Sequence, residues 1–223
     1  MKVTELSLPG AEDFYTQEAF KALRTNLQFC GKDVKVVTIT SCNESEGKTT
    51  VTLQLAKSLA DLGKRVLVID ADMRKSVMAG RNTTAMQAAG LSEYLTGMAD
   101  LGSCVYATQY PTLHIIFSGQ YPPNPVELLS SRHFAELLRN AAANYDYVLI
   151  DTPPLGSVID AAAVAPHTDG VMLVLGNKVR SRQAQEVVAQ LERSGSKILG
   201  VIRNNTSKKA DKYYKSKYYK AYK

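Results

Sequence analysis

Six short apolar runs recur along the chain: VKVVTIT (34–40), RVLVID (65–70), LHIIFS (113–118), YVLID (147–151), GVMLVL (170–175) and KILGVI (197–202). Each is rich in Val and Ile and hydrophobic at consecutive positions, the pattern of parallel strands covered on both faces. Between them GKTTVTLQLAKSLADLG (47–63), PVELLSSRHFAELLRNAAANY (125–145) and SRQAQEVVAQLERSG (181–195) carry a helical period, with Gly63 and Gly195 where C-caps are expected. Residues 76–112 are the least regular section, with a short helix expected around GLSEYLTG (90–97) and loops on either side. Alternation of this kind predicts an α/β fold, a doubly wound, mainly parallel sheet flanked by helices.

In such a sheet, ligands bind where the strands end at their carboxyl edge. Three of the apolar runs end in chemistry. The first leads into SCNESEGKTT (41–50) and directly into a helix, so Gly47-Lys48-Thr49 reads as the heart of a phosphate-binding loop. Backbone N–H groups from Asn43, Glu44, Ser45, Glu46 and Gly47 through Thr50 would wrap phosphates, Lys48 would neutralise the β and γ oxygens, and the Thr49 hydroxyl would bind Mg²⁺. Lys48 is expected to be solvated in the absence of nucleotide. The usual first glycine of the loop is Cys42 here. The second run ends in VLVIDADMR, where Asp70 and Asp72 stand two apart and, in an extended chain, share one side. The third, YVLIDTPP, places Asp151 after largely apolar residues, as an acidic residue serving Mg²⁺ would be placed. A P-loop NTPase using ATP and Mg²⁺ is the function class these three positions share.

Net charge is concentrated at one end. The chain carries 27 Lys+Arg against 21 Asp+Glu, a net charge of +6. The final stretch, KKADKYYKSKYYKAYK (208–223), holds seven of the lysines and one aspartate, which leaves 20 of each sign in residues 1–207. The body is thus balanced, and its charge gives no support for nucleic-acid binding. The last sixteen residues contain five tyrosines and almost no aliphatic side chains, so a mobile tail is expected after a single domain of residues 1–207. Three cysteines, Cys30, Cys42 and Cys104, have no metal-ligand spacing and read as free thiols of a reducing compartment. His114, His133 and His167 are equally isolated, and no G-x-G-x-x-G is present. The N-terminal residues lack the apolar run of a signal peptide, and no stretch approaches ~20 apolar residues. A cytoplasmic protein, or one attached to a membrane through a partner, is expected.

With these motifs in view, the chain resembles the bacterial tyrosine kinases of capsule and exopolysaccharide systems, P-loop proteins of the deviant Walker class. SCNESEGKTT is similar to the family's S-x-x-P-G-E-G-K-[ST]-[ST], VLVIDADMRKS (66–76) to its second acidic motif and YVLIDTPP to its third. FSGQYPPNPVELLSS (117–131) matches its G-x-x-P-P-N-P-x-E-L-L segment, the most distinguishing of the matches. The leading helix expected over 13–31 contains EAFKALRTNLQF, similar to the family's E-x-x-R-x-x-R oligomerisation motif, with Glu18, Lys21 and Arg24 on one helical face. Three departures stand out. Glu44-Ser45 replaces Pro-Gly, which would force Ser45 into a left-handed conformation at ~1–2 kcal/mol. Lys21 replaces an arginine, and Ser76 a frequent proline.

The resemblance implies an ATP-dependent protein-tyrosine kinase that autophosphorylates Tyr213, Tyr214, Tyr218, Tyr219 and Tyr222 and regulates polysaccharide synthesis and export. Lys48, Asp70 and Asp72 would be catalytic, with Asp70 the base; Thr49, Asp70 and Asp151 would hold Mg²⁺; Asn204 would contact adenine. It further implies a homo-oligomeric ring, a membrane-anchored activator, separate or fused, at the inner face of the membrane, and an opposing protein-tyrosine phosphatase. Two other readings compete: a partitioning or positioning ATPase, whose relatives carry an extra lysine at the position of Asn43, and a non-catalytic ATP-gated assembly factor.

Overall fold

The computed structural model describes residues 2–6, 8, 13–80 and 89–205. Their centre is an eight-stranded sheet formed by β1 (Lys2–Thr4), β2 (Val36–Ser41), β3 (Val66–Asp70), β4 (Val105–Thr108), β5 (Leu113–Ile116), β6 (Tyr147–Asp151), β7 (Gly170–Leu175) and β8 (Ile198–Arg203), in the order β1-β4-β5-β3-β6-β2-β7-β8. All neighbouring pairs are parallel except β4 and β5. The six expected strands are all present, each within two residues of its apolar run.

Alternate strand residues enter opposite layers, and both layers are apolar, which is why the runs are continuous. Val37, Ile39, Val66, Val68 and Leu149 pack under α1 (Phe14–Phe29) and α2 (Lys48–Ala60). Val36, Leu67, Ile69, Val148 and Ile150 pack on the other face, against α4 (Leu91–Leu95) and α7 (Arg132–Asn144). A third cluster joins Val171 and Leu173 to α8 (Asp160–Val164) and to Val187 and Leu191 of α9 (Ser181–Arg193).

The structure departs from the sequence reading in three places. The helical pattern over 125–145 is two helices, α6 (Pro125–Leu129) and α7, because the Ser131 hydroxyl accepts a hydrogen bond from Phe134 N at 3.2 Å and caps a new start. The irregular section contains α3 (Val77–Gly80), the expected α4, α5 (Leu101–Cys104) and the unforeseen β4. β1, only three residues long, was also unforeseen, being too short to show a period. No helix among the described residues is long and apolar enough to cross a membrane. The 208–223 tail and its five tyrosines lie outside the described residues.

Candidate active site

Because β2, β3, β6, β7 and β8 run parallel, their carboxyl ends meet at one edge. There β2 passes through residues 42–47 into α2. Gly47 sits at φ 89°, a left-handed conformation that favours glycine, and a Cβ on it would lie 2.1 Å from Asn204 Nδ2 and displace that amide. Ser45 adopts φ 61°, the left-handed conformation expected of it. Cys42 is buried, and burial reinforced by the Glu46 charge pushes its thiol up to about 11, so it serves as a small apolar filler.

The loop is braced from behind. The Glu46 carboxylate turns inward and accepts from Cys42 N at 3.0 Å and Asn43 Nδ2 at 2.8 Å. Asn43 and Gln183 of α9 exchange amide hydrogen bonds at 2.5 and 3.3 Å. Asn204 Nδ2 donates to Glu46 O at 2.9 Å. Side chains of Asn43 and Glu46 therefore shape the loop from behind, while Glu44, Ser45, Gly47, Lys48, Thr49, Thr50 and Asn204 line a cleft of about 940 Å³. Asn43, where the rival ATPase reading would expect a lysine, is held in this neutral amide pair.

Beneath the cleft lies an acidic floor. Asp70 and Asp151 are directly opposed in the β3–β6 register, and both are buried. The Thr49 hydroxyl donates to Asp151 Oδ2 at 2.6 Å, and Asp151 Oδ1 is buried without a hydrogen bond. Asp70 Oδ1 accepts from Asp72 N at 3.1 Å, and its other oxygen is bound by the Ser76 hydroxyl, which stands where a proline is frequent. Lys48 is not solvated as expected: it is 8% exposed and its Nζ lies 3.3 Å from Asp72 Oδ2, because the loop already points it onto the acidic floor. Burial, followed by the charges of Asp151 and Asp72, lifts the Asp70 carboxyl to about 8. Asp151 rises to about 6 through burial, with Lys48 and the Thr49 hydroxyl acting against the rise.

This donor set suits Mg²⁺ in the manner of nucleotide sites. Among the described residues no three His, Cys, Asp or Glu side chains form a cage. The orphaned Asp151 Oδ1 and the Thr49 hydroxyl would instead share the ion with substrate phosphates and water, as a small hard cation prefers.

The cleft has walls that motif reading missed. Tyr15, Phe20 and Leu23 of α1, Val201 and Ile202 of β8, and Arg74 and Lys75 also line it. Lys75 bridges to Glu44 of the phosphate loop at 2.9 Å, lowering the Glu44 pKa. Arg74, Lys75, Phe20 and Leu23 stood inside quoted motifs, but none of those motifs assigned them to the cleft; the approach of α1 and β8 depends on the tertiary fold. On α1, Glu18 and Lys21 pair with each other at 2.7 Å on the exposed surface. Arg24 departs from the expected common outward face: its Nη1 donates to Ser58 O of α2 at 2.7 Å, and its Nε is buried.

A family model described as AAA domain matches residues 34–202, the span from the first strand of the phosphate loop to the last strand of the sheet. Tyrosine-protein kinase CpsD of Streptococcus agalactiae serotype Ia is 43% identical over 199 residues, 89% of this chain and 86% of that protein. Tyrosine-protein kinase wzc of Salmonella typhimurium is 37% identical over 224 residues, 98% of this chain but 31% of that protein. Among solved structures, the kinase domain of Escherichia coli tyrosine kinase ETK superposes with a TM-score of 0.80 at 33% identity, covering 86% of this chain and 78% of that one. A likeness of this strength, running through sheet, phosphate loop and acidic floor alike, places the chain in the family of bacterial tyrosine-protein kinases.

Proposed function

We propose that the cleft binds Mg²⁺·ATP and transfers the γ-phosphoryl group to tyrosine hydroxyls, including Tyr213, Tyr214, Tyr218, Tyr219 and Tyr222 of the chain's own tail. The observation that carries this reading is the acidic floor: the phosphate-loop lysine and threonine are already aimed at Asp72 and Asp151, directly beside Asp70. Lys48 and the loop amides would hold the phosphates, and Lys48 would exchange Asp72 for the β and γ oxygens. Mg²⁺ supplies charge neutralisation between those oxygens; Thr49, Asp151 and Asp70 would hold it, directly or through water. With Mg²⁺ beside it, whose charge would bring its raised pKa back down, Asp70 would take the proton of the attacking tyrosine, whose ordinary pKa of ~10 keeps it protonated at neutral pH. Asp72 orients Lys48 and would help to hold Mg²⁺ through water. Asn204, held against Gly47 at the end of β8, would meet the adenine side of the nucleotide.

The tail is basic and each phosphate adds about −1.5 to −2 charges, so lysines between the tyrosines lower the cost of modification. Glu18 and Lys21, on a helix that Arg24 fastens to α2, would contribute to a homo-oligomeric ring in which one subunit's tail enters a neighbour's cleft. The resemblance supports a cytoplasmic position at the inner face of the membrane, through a membrane-anchored activator, a role in capsule or exopolysaccharide synthesis, and reversal by a protein-tyrosine phosphatase.

The reading is tested by incubating the purified chain with γ-labelled ATP and Mg²⁺ and identifying the labelled amino acid. Phosphotyrosine in the parent protein and none in Lys48→Met is the expected result. Release of labelled inorganic phosphate without any phosphotyrosine would instead favour an ATPase.

A further inference from the structure

Arg74 has no part in the roles given so far. It leaves the β3 loop two residues beyond Asp72 and lines the cleft with Lys48, Asp72 and Ser157. Its Nε donates to Asp160 Oδ1 at 3.0 Å. Asp160 opens α8, at the far end of the loop that follows Asp151. The pair therefore ties together the two loops that leave the adjacent strands β3 and β6.

The two partners differ in burial. Asp160 has no exposed surface, and its Oδ2 is buried without a hydrogen bond among the described residues. A carboxylate held out of water is a poor stabilising device, since an apolar side chain of similar volume does as well or better. The Arg74 side chain is 34% exposed, and no hydrogen bond among the described residues engages its terminal amino groups. The Asp160 hydrogen bond, against partial burial, raises the already high pKa of Arg74, with the charges of Asp160, Tyr121 and Asp72 adding to it. The result is a guanidinium fixed along one edge, with its other donors open to the cleft that Lys48 faces.

We propose that Arg74 binds the γ-phosphoryl oxygens of the nucleoside triphosphate in this cleft, with Asp160 as its positioning residue. The inference rests on the reading of the cleft as the ATP site. A transferring phosphoryl group spreads its charge over three equatorial oxygens, and a planar fork of donors matches two of them where an ammonium meets them as a point charge. In the transfer, the bond from the γ phosphorus to the bridging oxygen breaks and the tyrosyl O–P bond forms. The hydroxyl proton passes to Asp70, and Arg74 exchanges no atom.

The test compares the parent chain with Arg74→Ala, Arg74→Lys and Asp160→Asn, titrated with the β,γ-imido analogue of ATP and with ADP, each with Mg²⁺, alongside phosphorylation of a tyrosine peptide. Arg74→Ala should weaken the triphosphate analogue by about tenfold while ADP stays within about threefold, and lower kcat by roughly 10²–10³. Arg74→Lys and Asp160→Asn should fall between parent and alanine, with kcat lowered more than KM is raised. If Arg74→Ala does not fold, these two variants carry the same comparison. A parent-like preference for triphosphate over diphosphate in every variant would overturn the proposal. So would equal weakening of both nucleotides together with a lowered Tm, the signature of an ion pair that only holds the loops. Should Lys48→Met transfer phosphate at the parent rate, the ATP-site reading itself fails and takes this inference with it; an unaffected Arg74→Ala beside a dead Lys48→Met sinks the inference alone.

Discussion

At the scale of single residues, two side chains in the phosphate loop store measurable consequences. Ser45 holds a left-handed backbone at φ 61°, which costs an L-residue ~1–2 kcal/mol. Glycine removes that strain but adds roughly 0.5–1 kcal/mol of unfolded-state entropy. Ser45→Gly should therefore stabilise the chain by a net amount of about 0.5–1 kcal/mol in urea unfolding, with ADP affinity unchanged; a loss of stability would mean that the Ser45 side chain makes a compensating contact. Lys48 is buried against Asp72 over a floor of three aspartates. Lys48→Met should abolish phosphoryl transfer and also destabilise the nucleotide-free protein by about 1–3 kcal/mol, since it leaves a carboxylate without its cation. Asp70→Ala should abolish transfer with a smaller effect on ATP binding, because Asp70 lies below the loop that grips the phosphates. A transfer rate within a few-fold of the parent's would remove Asp70 from the chemistry.

Elements add interactions that no motif encodes. Arg24 fastens α1 to α2 through Ser58 O, whereas Glu18 and Lys21 form an exposed pair three residues apart. Arg24→Ala should cost about 1–2 kcal/mol, and the double replacement of Glu18 and Lys21 by alanine less than about 0.5 kcal/mol. The same double variant should shift the particle toward monomer by light scattering; an unchanged mass would make that pair a solvated helix face. On the opposite layer, His114 of β5 joins its Nδ1 to the Tyr145 hydroxyl at 2.8 Å, and burial lowers its pKa. The unfolded chain, with a His pKa near ~6.5, then binds the proton more readily than the folded one. The stability His114 contributes is thus full above that value and falls as pH drops through it toward the folded pKa. His114→Gln should flatten the loss of unfolding free energy between about pH 7 and pH 5; an unchanged slope would exclude His114 as a source of it.

For the whole molecule, the sheet was legible because every central strand is covered on both faces and so writes a continuous apolar run into the chain. β1 and β4 were not: β1 is a three-residue edge strand, and β4, between β1 and β5, alternates half-buried with buried positions instead of carrying a continuous apolar run. The acidic floor was legible for a related reason: Asp70 and Asp151 each end such a run, and parallel pairing brings those ends together. What could not be read was everything set by long-range approach. The brace of Gln183 on Asn43, the α1 wall of the cleft and the inward turn of Arg24 all join segments far apart in sequence. Even the burial of Lys48 follows from the distance between two loops rather than from its motif.

In the proposed reaction this cleft phosphorylates tyrosines of the tail, one chain serving another. The most direct measurement mixes two full-length chains with γ-labelled ATP and Mg²⁺. One is an enzyme whose five tail tyrosines are phenylalanine, the other an Asp70→Ala chain with an intact tail. Each chain alone should take up almost no label. Together they should place label on Tyr213, Tyr214, Tyr218, Tyr219 or Tyr222 of the Asp70→Ala chain, located by mass spectrometry of the tail peptide. Efficient labelling of the Asp70→Ala chain by itself, or no phosphotyrosine on its tail in the mixture under conditions where the parent chain labels, would contradict the account.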